Sequence, residues 1–144
     1  MRFVYNDGGR KAAGYIGITG DCVTRAIAIM TGKPYQEVYD ALSDCAEPFN
    51  AKGYKRVRGV SSARGGMHKR AYKPYLQSLG LIWHPTMGIG TGCKVHLRDG
   101  ELPMGRLLVQ VSKHLVAVID GVMQDTHDCS RNGTRCVYGY YTKG

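Results

Sequence analysis

No stretch of the sequence is apolar for anything approaching the ~20 residues that a helix needs to cross a bilayer. The first ten residues, Met1 to Arg10, are polar and contain glycine, with no apolar run ahead of a small-residue cleavage site, so no secretory signal is expected. Together these absences predict a cytoplasmic protein that does not engage membranes. In that compartment the five cysteines are expected to be thiols rather than a disulfide framework, and the odd count agrees. Internal repeats and low-complexity segments are also missing.

Acidic residues are missing from one long stretch. From Phe49 to Arg98 there are ten Lys or Arg and no Asp or Glu, while the rest of the chain carries ten basic against eleven acidic residues. The net charge of +9 therefore sits in the middle third. Such a block suits an anion-binding face, with Arg56, Arg58, Lys69 and Arg70 as its candidates and nucleic acid, an acidic protein or a phosphorylated ligand as partner. The plainer alternative is a solvated basic loop that keeps the protein soluble.

What is present fits one domain over residues 1–144, long enough to bury a single core. Residues 1–20 hold five glycines among Tyr5, Tyr15, Ile16 and Ile18 and read as an irregular arm. From Cys22 to Met30, apolar residues at 22, 23, 26, 27 and 30 follow the spacing of a buried helix face. Thr19 and Asp21 offer capping oxygens and Gly32 a stop. Pro34 suits the first turn of a second helix, which carries Val38 and Leu42 inward and ends near Asp44. Cys45 to Gly66 reads as loop, a third helix runs from about Met67 to Ser78, and Leu81-Ile82-Trp83 reads as strand. The last third changes period: Leu107–Val111 and Leu115–Ile119 are rich in β-branched residues, and Asp120-Gly121 is a strong two-residue hairpin signal. Val122 to Thr126 returns, and Arg135 to Thr142 makes a final strand. Helices first and an antiparallel sheet afterwards is an α+β order.

Cys22 opens the best helix in the chain, where the helix dipole favours a thiolate. A nucleophilic cysteine also gains from an imidazole whose ring is held in one tautomer by a third polar group. His114 begins a strand, and the hairpin sets the register. A turn at 120–121 pairs Ile119 with Val122, Val116 with Asp125 and His114 with His127, so Asp125 lies one diagonal step from His114 on the same face. Asp120 is then the turn residue. Each residue also has an ordinary reading: a small buried helix residue, a core histidine and a strand-end acid.

The phrases "GDCVTRAIA" (20–28) and "SKHLVAVIDGVMQDTHD" (112–128) resemble papain-like cysteine peptidases in the broad sense, including the bacteriocin-processing and transglutaminase-like branches. They are most similar to small bacterial and phage-borne proteins of uncharacterised function that share the same phrases. The resemblance implies a papain-like fold of N-terminal helices packed on a C-terminal antiparallel sheet. It also implies a cysteine-dependent hydrolase or acyl-transferase without cofactor or metal, with Cys22 as nucleophile, His114 as general base and acid, and Asp125 as orienting residue. Peptidases of this type carry a Gln about six residues before the Cys for the oxyanion, and here that position is Ile16. Asn6 or Thr19, with the Cys22 backbone N–H, are the candidate substitutes. The implied substrate is an amide or thioester, and the basic block is expected to select an acidic protein or peptide. The competing function is a nucleic-acid- or acidic-protein-binding accessory protein on the same fold with a vestigial triad.

Three further patterns are weaker. Cys93-x2-His96 with Cys129-x6-Cys136 offers four zinc ligands at spacings unlike a usual structural site. Gly88-x-Gly90-x-Gly92 lacks the strand-to-helix context of a phosphate loop and reads as a connection. Tyr72, Tyr75 and Trp83 among basic residues are placed to stack on bases, though helix-face core positions suit them better.

Overall fold

The computed structural model describes residues 1–16, 20–53, 60–88 and 90–143. Three helices, α1 (Cys22–Thr31), α2 (Tyr35–Lys52) and α3 (Lys69–Ser78), pack on one side of a six-stranded sheet. Its strands are β1 (Arg2–Tyr5), β2 (Leu81–Pro85), β3 (Arg106–Val111), β4 (His114–Ile119), β5 (Val122–Asp125) and β6 (Val137–Lys143), in the order β1-β5-β4-β3-β6-β2. The class is α+β.

The central strands are apolar on both faces because both are covered. Leu108, Leu115, Ala117 and Tyr141 meet the helices together with Ile27, Val38, Leu42 and Leu76. Leu107, Val109, Val111, Val116, Val118 and Met123 form a second core under Leu97, Cys129 and Phe3. Helix α1 is buried along nearly its whole surface, from Val23 to Met30, which makes it the central helix. It ends as expected at Gly32, in the left-handed conformation with φ 75°.

The hairpin forms in the expected register, with Ile119 opposite Val122 and Ala117 opposite Gln124. Asp120 and Gly121 both take positive φ, at 50° and 78°, the requirement of a type I′ turn. Asp120 also accepts a hydrogen bond from the Gly105 N–H through Oδ1 at 3.0 Å, which secures the entry to β3.

Four expectations are corrected. The N-terminal segment is not wholly irregular. Arg2–Tyr5 is a strand parallel to β5, so the sheet is mixed rather than purely antiparallel. Helix α2 continues past Asp44 to Lys52 and absorbs Pro48, because Val38, Leu42, Ala46 and Phe49 keep one face buried through the added turns. Asp21 stands at the N-cap of α1 but makes no capping bond, since its carboxylate is drawn into a buried ion network. Finally, Cys93 and Cys136 are joined in a disulfide. The bonds Val137 N–H to Val95 O (2.8 Å) and Leu97 N–H to Arg135 O (2.9 Å) lay residues 95–97 beside β6, bringing the two Cα atoms to 5.8 Å. The four-ligand zinc pattern fails for the same reason. Two of its sulfurs bond each other, Cys129 packs on Met123, and His96 pairs with Glu101.

Among the described glycines, Gly139 in β6 leaves the least room for a side chain. A Cβ there would stand 2.4 Å from the indole of Trp83 and 2.8 Å from the His84 carbonyl. Gly139→Ala is expected to destabilise the chain by about 1–3 kcal/mol through overpacking. Gly88→Ala, where a Cβ would meet only ordinary contact, should change stability by less than about 0.5 kcal/mol. Denaturant titrations followed on Trp83, the sole tryptophan, measure both.

Candidate active site

Cys22 is the first residue of α1, so its thiol sits at the positive end of the helix dipole. His114 is the first residue of β4, and Asp125 the last of β5. The twist at these strand ends brings all three together over the end of α1. Asp125 Oδ2 lies 2.6 Å from His114 Nε2, and His114 lines the same cleft as Cys22, near enough for its ring to lower the pKa of the thiol.

The electrostatics follow from this contact. Burial alone would lower the His114 pKa, but the Asp125 hydrogen bond, reinforced by the sulfurs of Cys129 and Cys22, pushes it up to about 11. Burial would raise the Cys22 thiol. The imidazolium of His114, the Leu115 N–H and the charge of Arg25 outweigh that and lower it. Burial likewise opposes ionisation of Asp125, yet His114, its hydrogen bond to the Thr126 N–H and Arg25 bring its pKa below the ordinary carboxylate value. All three shifts favour a thiolate–imidazolium pair over a neutral one.

Behind the three residues lies a network that the sequence reading missed. Arg25 is buried, with Nη1 3.2 Å from Asp125 Oδ1 and 2.6 Å from Thr126 Oγ1, and Nε 3.0 Å from Asp21 Oδ1. Asp21 is fully buried and also receives Arg10 at 3.0 Å and the Tyr35 hydroxyl at 2.7 Å. An acid and a base four residues apart at a helix start, Asp21 and Arg25, were the available signal. Their interior location was not visible from spacing.

A cleft of about 580 Å³ opens on the site, lined by Cys22, His114, His127, Lys69, Lys113 and Tyr72 among others. Among the described residues, no Asp or Glu lines it. One wall is the turn at Ser62–Gly66, closed by reciprocal backbone bonds of 2.8 and 3.1 Å. Gly20 and Gly65 approach so closely that a Cβ on Gly20 would stand 3.1 Å from the Gly65 carbonyl.

The remaining candidates divide. Of the four basic residues, Lys69 lines the cleft with its ammonium 4.2 Å from the centre of the Trp83 ring. Arg70 borders a different pocket between α2 and α3, beside Asp44 and Phe49. Arg56 and Arg58 lie outside the described residues, as does Thr19. Asn6 does not face the cleft. Its amide donates to Gln124 at 2.9 Å, its carbonyl accepts from the Gly8 N–H at 2.8 Å, and it lines another pocket. Tyr72 and Trp83 are packing residues: the Tyr72 hydroxyl donates to Gln110 at 2.9 Å, and Trp83 packs on Tyr141.

Two outcomes are expected. At pH 6, iodoacetamide should label Cys22 at least about tenfold faster than Cys45, whose pKa is raised by burial and by Asp44. His114→Ala should erase the difference, as read by peptide mass spectrometry. Equal rates in the unaltered chain would remove the ion pair. Separately, Asp21→Ala leaves Arg25 and Arg10 without their shared anion and should cost about 3–5 kcal/mol in denaturant unfolding.

No family model, no curated protein and no solved structure matches this chain.

Proposed function

We propose that the chain is a cysteine-dependent hydrolase or acyl-transferase of papain-like type, acting on an amide or thioester in an acidic protein or peptide. The observation that carries this reading is one imidazole, His114, bonded to the buried carboxylate of Asp125 at 2.6 Å and sharing a cleft with Cys22 at a helix start. A nucleophile at a helix start, a base within reach and an orienting acid behind the base together form the constellation for acyl transfer.

In this reading the Cys22 thiolate attacks the carbonyl carbon and a carbon–sulfur bond forms. The developing oxyanion is met by N–H groups at the start of α1. The bond to the leaving group breaks as His114 delivers its proton to the leaving nitrogen or sulfur. His114, now neutral, takes a proton from water or from an acceptor nucleophile, which attacks the acyl-enzyme and releases Cys22. Asp125 remains ionised throughout and holds the ring through Nε2. Its pKa, already lowered by His114 and Arg25, keeps it so.

The acidic substrate is inferred from the lining of the cleft. Lys69, Lys113 and the histidines 68 and 127 stand around Cys22 with no carboxylate among them. Arg25 also lines it, but its charge is matched by Asp21 and Asp125.

The test is turnover of a fluorogenic thioester and peptide series differing in charge. Cys22→Ala should abolish turnover, and Cys22→Ser should reduce it by more than about a thousandfold. Lys69→Glu and Lys113→Glu together should raise KM for acidic substrates about tenfold and leave neutral ones nearly unchanged. Turnover surviving Cys22→Ala would defeat the hydrolase. The same basic lining favours the accessory-protein reading, in which Cys22→Ala leaves a salt-dependent affinity for duplex DNA or another polyanion intact and no substrate of the series is turned over.

A further inference from the structure

We propose that His114, Asp125 and His127 form a site for a divalent transition-metal ion, Zn²⁺ by donor chemistry, whose binding silences Cys22. The silencing rests on the cysteine-hydrolase reading, whereas the binding does not. His127 follows β5 by two residues and has no part in the steps above. Yet ligand atoms of His114, Asp125 and His127 all lie within 4.8 Å of one another, and the two rings are 5.4 Å apart, centre to centre.

Three features suit an ion. Two imidazoles and one carboxylate make a three-donor zinc set with an open fourth position. The carboxylate is already oriented from behind: Arg25 and the Thr126 N–H engage Oδ1, at 3.2 and 2.7 Å, leaving Oδ2 directed to the His114 ring. His127 is exposed and lines the cleft, which gives an ion an entry path and gives that donor freedom to close on it.

Zn²⁺ and a proton then compete for the same lone pair. Between Asp125 Oδ2 and His114 Nε2, 2.6 Å apart, the bond is made by the proton on Nε2. A metal entering there displaces that proton to solvent and binds the neutral ring. The Cys22 thiolate loses its imidazolium partner and takes up a proton from solvent, which withdraws it from electrophiles. No oxidant or reductant is involved.

The test uses the full chain, stripped with chelator, and Zn²⁺ alone. Calorimetry should give one ion per chain, and His127→Ala, an exposed substitution compatible with the fold, should weaken it at least about tenfold. Zn²⁺ should slow iodoacetamide labelling of Cys22 at least about tenfold, and EDTA should restore it. Unchanged affinity in His127→Ala would assign the ion to other histidines such as His84 or His96 and overturn the site. Undiminished Cys22 labelling at saturating Zn²⁺ would overturn the silencing. If Cys22 in the metal-free chain labels no faster than Cys45, the hydrolase reading fails by itself, and the metal site is judged on the His127→Ala difference.

Discussion

A buried carboxylate must have partners for both oxygens, and Asp125 takes them from two different elements. Oδ2 receives the His114 ring at 2.6 Å and Oδ1 the Arg25 guanidinium at 3.2 Å. Arg25 belongs to α1, one turn beyond Cys22. The ion pair that fixes Asp125 therefore also fixes how α1 is rotated and how far it slides along the sheet. A shift of α1 that moved Cys22 away from His114 would strand a guanidinium and a carboxylate in the interior, at a cost of several kcal/mol. Orientation of the His114 ring and placement of the thiol are thus one constraint, and Asp21 anchors its far end.

The charges of that network sum to zero. Arg10 and Arg25 face Asp21 and Asp125. Moving a proton from the Cys22 sulfur to His114 leaves the net charge of the cluster unchanged and only separates charge locally. The separated state is favoured because Asp125 touches the ring that becomes positive, while the helix dipole meets the sulfur that becomes negative. Without Arg25 and Asp21 the carboxylate of Asp125 would be a costly interior anion that tends to take the proton itself. The network behind the site therefore explains how Asp125 stays ionised at 4% exposure.

Much of this was legible from local pattern. The Asp120-Gly121 turn fixes the register of β4 against β5, and with side chains alternating every residue that register alone places Asp125 beside His114. The helical spacing from Cys22 to Met30 placed the thiol at a helix start. The rest depends on contacts between distant segments. Residues 2–5 alternate too weakly to announce a strand, and only the free edge of β5 makes them one. The pairing of Cys93 with Cys136 spans 43 residues and is set by backbone bonds at 95–97. Helix α2 passes through Pro48 because Ala46 and Phe49 extend its buried face. Lys69 and Arg70 share a charge run in sequence, yet adjacent helical residues point about 100° apart, so α3 sends one to the cleft and the other toward α2.

The same separation bears on what the basic rim does. Lys69 and Lys113 face solvent on one side, so their pull on an approaching anion is screened over about 8 Å at physiological salt. The bond between His114 and Asp125 is direct, short and largely enclosed, and salt reaches it poorly. Lys69 is further restrained over the Trp83 ring, and burial together with Lys73 lowers its pKa. On the proposed hydrolase reading, ionic strength should therefore act on capture of an acidic substrate and leave the reactivity of Cys22 nearly constant. A rim that mainly tuned the thiol would make reactivity fall with salt in step with capture. The geometry favours the first behaviour, because the half-buried His114 ring acts on Cys22 within the cleft, whereas the lysines are exposed at its rim.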